Sequence, residues 1–550
     1  MTRRFGACVA AALALALPAS AGASTTFTLT GHGWGHGIGM SQYGALGYAE
    51  HGWGYKQIMD HYFTGTHVGP MSSGAAERVL LSAGANVDFG ASSAMTLRDH
   101  AGTRKTLPAG SYRLQEGGTS GHLQLIAKAN GALTKGLVAP VQIHPGSQPL
   151  RLDDSAGIGF SGDHWHGVFR VIESGASLDC VDVVGMEKYL RGVVPSEMPA
   201  SWPLPALKAQ AVAARSYAAA TRNPSGDWDA YADTRSQVYG PIEHEDTAST
   251  AAVTATTHQV VWYHHTIATT FFSSSSGGRT SSEQAAWDTS SGEPYLVPVI
   301  DRYDSANGAN PYHTWPTQTY TASGLAHALG VSGSVTAIAA TVDPASQRTL
   351  SIGVTATGGT TTLTGDQVQE RMGLRSTWFR LLQRTLTTPS TDIAGTPITI
   401  TGRVWPIPSG HIALERRGAV GTAWSAVVAA LHLHANGTFS VAVTPTADRT
   451  YKLVSAGKAV SPHASVGVQP ALTLTVTGGS FHASMSPALP GEMLVLYKET
   501  GSTWAPIESK PAGAHGNVVF ATAPATGVWR VHYVGDATHL RGHSDPITVP

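Results

Sequence analysis

Val184-Gly185-Met186-Glu187-Lys188-Tyr189-Leu190-Arg191-Gly192-Val193-Val194-Pro195-Ser196-Glu197-Met198-Pro199 joins a helical period to two prolines and a lone acid between them. Met186, Leu190, Val193 and Val194 fall on one helical face, which predicts an amphipathic helix. Pro195 has no amide hydrogen and its ring crowds the carbonyl four residues back, so the helix is expected to stop there. Glu197 is then left in a proline-bracketed turn with Met198 and Trp202 as apolar neighbours. Apolar surroundings disfavour a carboxylate and raise its pKa. A carboxyl group kept protonated near neutrality can give its proton to a glycosidic oxygen. Spacing alone equally allows a glutamate that caps a helix.

Downstream, Ser201 is an N-cap candidate and Pro203 suits a first helical turn. The helix continues from Ala206 to Ala218, with Leu204, Leu207, Ala211 and Ala214 as its buried stripe. Lys208, Arg215 and Arg222 recur every seven residues on another side, either as a solvated face or as a sugar-contacting edge. Upstream, residues 71–180 alternate in short runs such as Arg78-Val79-Leu80-Leu81 and Val168-Phe169-Arg170-Val171-Ile172, which predicts strands. Over residues 392–550 the pattern is strand-like again and duplicated. Gly437-Thr438-Phe439-Ser440-Val441 before Tyr451-Lys452-Leu453-Val454 is answered by Gly516-Asn517-Val518-Val519-Phe520 before Trp529-Arg530-Val531-His532-Tyr533. The expected fold class is therefore an α+β region of mixed strands and helices, followed by two all-β sandwich-like modules over 392–470 and 471–550.

Composition narrows the function classes. The 550 residues suggest several domains. Hydrophobic residues at 42% are enough for packed cores, and a formal net charge of -1 offers no basic stripe, so nucleic acid is not an expected partner. Arg3 and Arg4, the apolar run Ala10 to Leu17 and the small residues Pro18 to Ala23 read as a removable signal peptide over 1–24. No later stretch is apolar enough for a membrane helix. The expected location is secreted, extracellular or cell-wall associated, with no membrane partner after the leader is removed. Cys8 lies in that leader, so Cys180 is left with no intramolecular disulfide partner.

Residues 183–220 resemble the core motif of the SpoIID/LytB family, the stage II sporulation protein D and amidase-enhancer group. Tyr231-Ala232-Asp233-Thr234-Arg235-Ser236-Gln237-Val238-Tyr239-Gly240 and Phe272-Ser273-Ser274-Ser275-Ser276-Gly277-Gly278-Arg279-Thr280 resemble it further, as do Gly365-Asp366-Gln367-Val368 and Gly373-Leu374-Arg375-Ser376-Thr377-Trp378-Phe379. The similarity runs over roughly 71–382 and predicts a catalytic domain over 71–385. One motif is displaced. Gly31-His32-Gly33-Trp34-Gly35-His36-Gly37-Ile38-Gly39-Met40-Ser41-Gln42-Tyr43-Gly44-Ala45 is similar to the segment that usually ends the domain. Residues 25–70 are expected to fold back onto the same site, which nearby termini make tolerable.

The resemblance implies a lytic transglycosylase acting on peptidoglycan glycan strands, with preference for strands lacking stem peptides. Glu197 would be the acid/base, and the sugar's own 6-hydroxyl the nucleophile, giving 1,6-anhydromuramoyl ends. A single carboxyl suffices for that scheme, whereas glycoside hydrolases usually employ two; Asp182 and Glu187 are the acids that could approach. The candidate saccharide contacts are His32, Trp34, His36, Gln42, Lys208, Arg215, Gln237, Tyr239, Ser275 and Ser276. Trp34 offers a ring face for stacking, while Gln237, Tyr239, Ser275 and Ser276 either meet sugar hydroxyls or cap turns. His32 and His36 are four apart like a helical metal pair, but the alternating glycines make a helix implausible there. Some members hold zinc through Cys and His near the Ser-Gly-Gly motif. Here that motif has no Cys, and His244, His258, His264 and His265 fit no zinc pattern, so no metal and no other cofactor is expected. Two other readings stay open: a non-catalytic wall-binding enhancer of an N-acetylmuramoyl-L-alanine amidase, with that amidase as partner, and a polysaccharide-binding adhesin.

Overall fold

β1, Gly22–Gly31, lies antiparallel to the strand Phe379–Thr388 along its whole length, from Gly22 opposite Thr388 to Gly31 opposite Phe379. Strand alternation turns Phe27 and Leu29 inward and leaves the intervening threonines at the surface of the ladder. The computed structural model describes residues 22–550 apart from 73–75, 120, 154–161 and 420–422. The expected leader therefore lies outside the described residues up to position 21, and the backbone of β1 takes in its last three positions.

After β1 the glycine-rich loop leads into α1 (Gln42–Glu50), capped by Ser41 Oγ, which accepts from the Gly44 amide, and then α2 (Tyr55–Tyr62). Ile38, Met40, Tyr48, Ile58 and Phe63 are buried with Leu190, Val193, Leu207 and Val212 in one core. The N-terminal segment is thus built into the same hydrophobic interior as the central helices. That interior also covers a seven-stranded sheet, in which the strand Ser177–Val184 lies between Glu77–Gly84 and Val168–Ser174, and a six-stranded sheet carrying Asn86–Ala91.

The central pair is α3 (Met186–Glu197) and α4 (Leu204–Ala220). Two local expectations are corrected here. Pro195 does not end α3; the helix runs through it to Glu197 and closes with the Met198 amide donating to Val194 O. A proline in the last turn forfeits one helical hydrogen bond, the one its missing amide would give to Arg191 O, and beside it Ser196 Oγ and the Gly240 amide both donate to Gly192 O. Ser201 is not the N-cap of α4. Pro203 holds that position, with Pro205 just inside, so the fixed proline φ rather than a side-chain cap starts the helix.

The expected 71–385 unit contains a second core. Trp315, Leu325, Leu329, Ile338, Ile352 and Phe379 pack with Phe27 and Leu29, apart from the core around α3 and α4. The tail has two further cores. One lies between the strands Ile398–Trp405 and Thr438–Val443 and the sheet containing Ile412–Gly418 and Arg449–Ser455. The other joins Phe481 and Met485 on one sheet to Leu494, Leu496, Trp529 and Val531 on another. The duplicated glycines do the same job in both copies: Gly437 and Gly516 take φ of 79° and 75°, each where a Cβ would strike a carbonyl oxygen. The whole is a β-rich, multi-module chain. Among the described residues, no helix is long and apolar enough to cross a membrane.

Candidate functional site

Glu197 is the last residue of α3, part-buried, with its carboxyl turned to the loop that follows the strand Ala230–Tyr231. The Val238 amide donates to Oε1 at 2.7 Å. Gln42, the first residue of α1, donates through Nε2 to the Glu197 carbonyl at 3.0 Å and reaches Oε2 at a long 3.4 Å. Burial pushes the Glu197 pKa up; the Val238 and Gln42 bonds favour the charged form and pull it down, and burial prevails. Since Oε1 holds the short bond, Oε2 is the oxygen left to carry a proton.

The displaced motif therefore meets Glu197 directly through Gln42. Its other residues hold a second contact. Consecutive loop amides tie three distant segments: Gly33 N to Tyr312 O at 2.8 Å, Trp34 N to Ser275 O at 2.9 Å and Gly35 N to Arg375 O at 2.9 Å. A row of rings results. Trp202, after α3, meets Tyr43 at 5.0 Å between centroids; Tyr43 meets Tyr312 at 5.9 Å; Tyr312 meets Trp34 at 4.4 Å. Trp34 is 44% exposed, which leaves its ring available to a ligand. Such a row presents the apolar faces and polar edges on which sugar rings pack.

The remaining candidates are placed otherwise. His32 uses Nδ1 on His313 O at 3.0 Å and lies against Trp378, and burial lowers its pKa. His36 accepts from the Ile38 amide and packs near Phe271 and Trp287; burial, then the Arg348 charge, push its pKa to about 4, so it is neutral at pH 7. Lys208 sits 5.9 Å over the Tyr55 ring. Arg215 lies neither on a solvated face nor on a sugar edge: it is fully buried and forks onto Glu187 at 2.6 and 3.0 Å. Gln237 and Tyr239 are interior as well, donating to Tyr189 Oη and to Asp182 Oδ2. Ser275 and Ser276 spend their hydroxyls on the buried carboxyls of Asp304 and Asp301, which also take Ser41 and Tyr62. This knot binds the N-terminal loop to the serine run. These hydroxyls and the Gln237 amide nitrogen are spent on the scaffold, and all four residues are buried.

Neither acid suggested as a companion to Glu197 is free. Glu187 is held by Arg215, and Asp182 is fully buried, burial raising its pKa to about 7. Among the described residues, no group of three or more His, Cys, Asp or Glu is arranged to hold a metal ion. Sequence reasoning missed Tyr43, Tyr312 and Arg375 as site residues. Tyr43 and Arg375 sit inside quoted motifs beside the residues singled out, whereas Tyr312 lies in a loop with no sequence signal.

Residues 174–263, which hold α3, α4 and Glu197, match the family model SpoIID, described as Stage II sporulation protein. That stretch of the chain is similar to the SpoIID family. An uncharacterized protein of Brachyspira hyodysenteriae (strain ATCC 49526 / WA1) is 42% identical over 62 residues, 11% of this chain. The match spans about a sixth of that relative's length, 17%. Among solved structures, the two fibronectin type-III domain segment from chicken tenascin is similar at TM-score 0.20, with 13% identity over 30% of this chain and 97% of that one. A tetra-tandem repeat from the extending region of a large adhesion protein gives TM-score 0.19, with 8% identity over 87% of this chain and 100% of that one. Likenesses this low say nothing further about that stretch or the tail.

Proposed function

We propose that this chain cleaves peptidoglycan glycan strands by lytic transglycosylation, outside the cell and after loss of its leader. The observation that carries the reading is the Glu197 carboxyl: desolvated, and oriented by the Val238 amide and by Gln42, whose chain neighbour Tyr43 belongs to the row of aromatic rings. Oε2 gives its proton to the glycosidic oxygen as the bond from C1 to that oxygen breaks. The resulting carboxylate then takes the proton of the C6 hydroxyl while that oxygen bonds to C1. The acid is regenerated, no water is consumed, and the product ends in a 1,6-anhydro ring. A lone carboxyl in this role fits the occupation of Glu187 and Asp182 elsewhere.

Glu197→Gln keeps the shape and the bond from the Val238 amide, loses the long bond from Gln42 Nε2, and has no acidic proton to give. Its rate on stem-peptide-free strands is expected to fall about 10²–10⁴-fold, with strand binding kept. Full activity in a folded Glu197→Gln protein removes Glu197 from the chemistry. A wild-type protein that binds strands and releases no product supports the amidase-enhancer reading instead.

A further inference from the structure

The loop that carries Trp34 also anchors a cation. Gly35 donates to the Arg375 carbonyl and Gly33 to the Tyr312 carbonyl, so the main chains of both residues are pinned to either side of Trp34. The Arg375 guanidinium stands 5.2 Å from the centre of the Tyr312 ring. Arg375 is exposed, and among the described residues its guanidinium has no carboxylate or hydrogen-bond partner. Arg78, Arg113, Arg151, Arg215 and Arg235, by contrast, each pair with an Asp or Glu. Arg375 also lines a cavity of about 260 Å³ with Trp315, Gln318, Met372 and Leu374, which gives a ligand room beside the exposed residue. A planar, unpaired guanidinium beside a stacking surface suits a sugar that bears a carboxylate, because its two parallel donors match the two oxygens.

We propose that Arg375 is a specificity-determining residue that binds the free lactyl carboxylate of a muramoyl residue lacking its stem peptide, while Tyr312 and Trp34 pack on the same strand. A stem peptide converts that carboxylate into an amide, which removes the charge and adds bulk at the same point. The position of Arg375 thus gives a physical cause for selecting stripped strands. The occupant, though not the residues, rests on the glycan-cleavage reading above.

The test uses the full chain with Glu197→Gln, so that strands are bound and not cut. Affinity is measured for stem-peptide-free strands with native lactyl carboxylates and for the same strands with those groups converted to neutral methylamides. The native strands are expected to bind roughly tenfold more tightly, the size of one charge-assisted hydrogen-bonded contact. Adding Arg375→Gln abolishes the preference, so that native and neutral strands bind alike; Arg375→Lys keeps part of it. A protein without the preference, or an Arg375→Gln protein that retains it, overturns the assignment. Cleavage by the unaltered chain is scored separately. An Arg375-dependent preference without cleavage keeps this inference and discards the transglycosylase, and cleavage without the preference does the reverse.

Discussion

At the scale of single residues, the site depends on one carboxyl whose proton is balanced between burial and two donors. Gln42 stabilises the charged form, so Gln42→Leu raises the Glu197 pKa further. In the proposed reaction the rate of cleavage is expected to fall as pH rises through that pKa, because the acid is lost. In Gln42→Leu this alkaline limb moves to higher pH, and a pH–rate profile checks the shift. Glu197 was legible in the sequence because prolines and apolar neighbours surround it there. Arg215 was not: a cation repeating every seven residues on an alanine-rich helix reads as solvated. Only the fold shows Glu187 brought to it from the start of α3. Gln237, Tyr239, Ser275 and Ser276, which the sequence left open between sugar contact and turn-filling, are buried for a related reason. The polar atoms that suit a sugar hydroxyl also suit the buried carboxyls that anchor a loop, and sequence does not say which lies opposite.

At the scale of elements, the glycine loop before α1 is held by backbone bonds and close approaches. Gly37 has φ of 72°, and a Cβ there would lie 1.8 Å from Arg348 Nη2. Gly37→Ala is expected to cost more than about 2 kcal/mol, since left-handed strain adds to a clash with a buried guanidinium. Gly52→Ala is the control: its φ is 84° with nothing within 4 Å, so it costs only about 1–2 kcal/mol. Denaturant unfolding of both variants separates the clash from the strain. Glu187→Ala strands the buried Arg215 charge and is expected to cost roughly 3 kcal/mol, at the low end because Glu187 is 26% exposed. The helices α3 and α4 were legible from their period; their ends were not. Pro195 falls where only one hydrogen bond is forfeited, and Pro203 supplies what a serine cap otherwise does.

At the scale of the molecule, several buried acids tie stability to pH. Burial, then Asp229, raises the Glu77 pKa to about 8; burial raises Asp182 to about 7; burial, then Asp304, holds Asp301 well above the usual carboxylate range. In the unfolded chain such groups titrate near 4. Between about 4 and about 8 these three acids hold protons that the unfolded chain has released, and their share of the unfolding free energy falls as pH rises, while histidines whose pKa burial lowers, His36 and His61 among them, act the opposite way below about 6.5. Above pH 7 only the acids count, so thermal unfolding is expected at lower temperature at pH 9 than at pH 7, and Glu77→Gln reduces the difference. The tail duplication was legible because its glycine and aromatic positions repeat. The second core was not, because β1 and the strand Phe379–Thr388 come from opposite ends of the region and only their pairing joins them. In the proposed reaction one carboxyl and the sugar's own hydroxyl break the glycan, and no oxygen from water enters the product. Digestion of stem-peptide-free strands in heavy-oxygen water, followed by mass spectrometry of the fragments, is expected to give ends lighter than a hydrolytic end by one water and free of the heavy isotope; reducing ends that carry the isotope rule that reaction out.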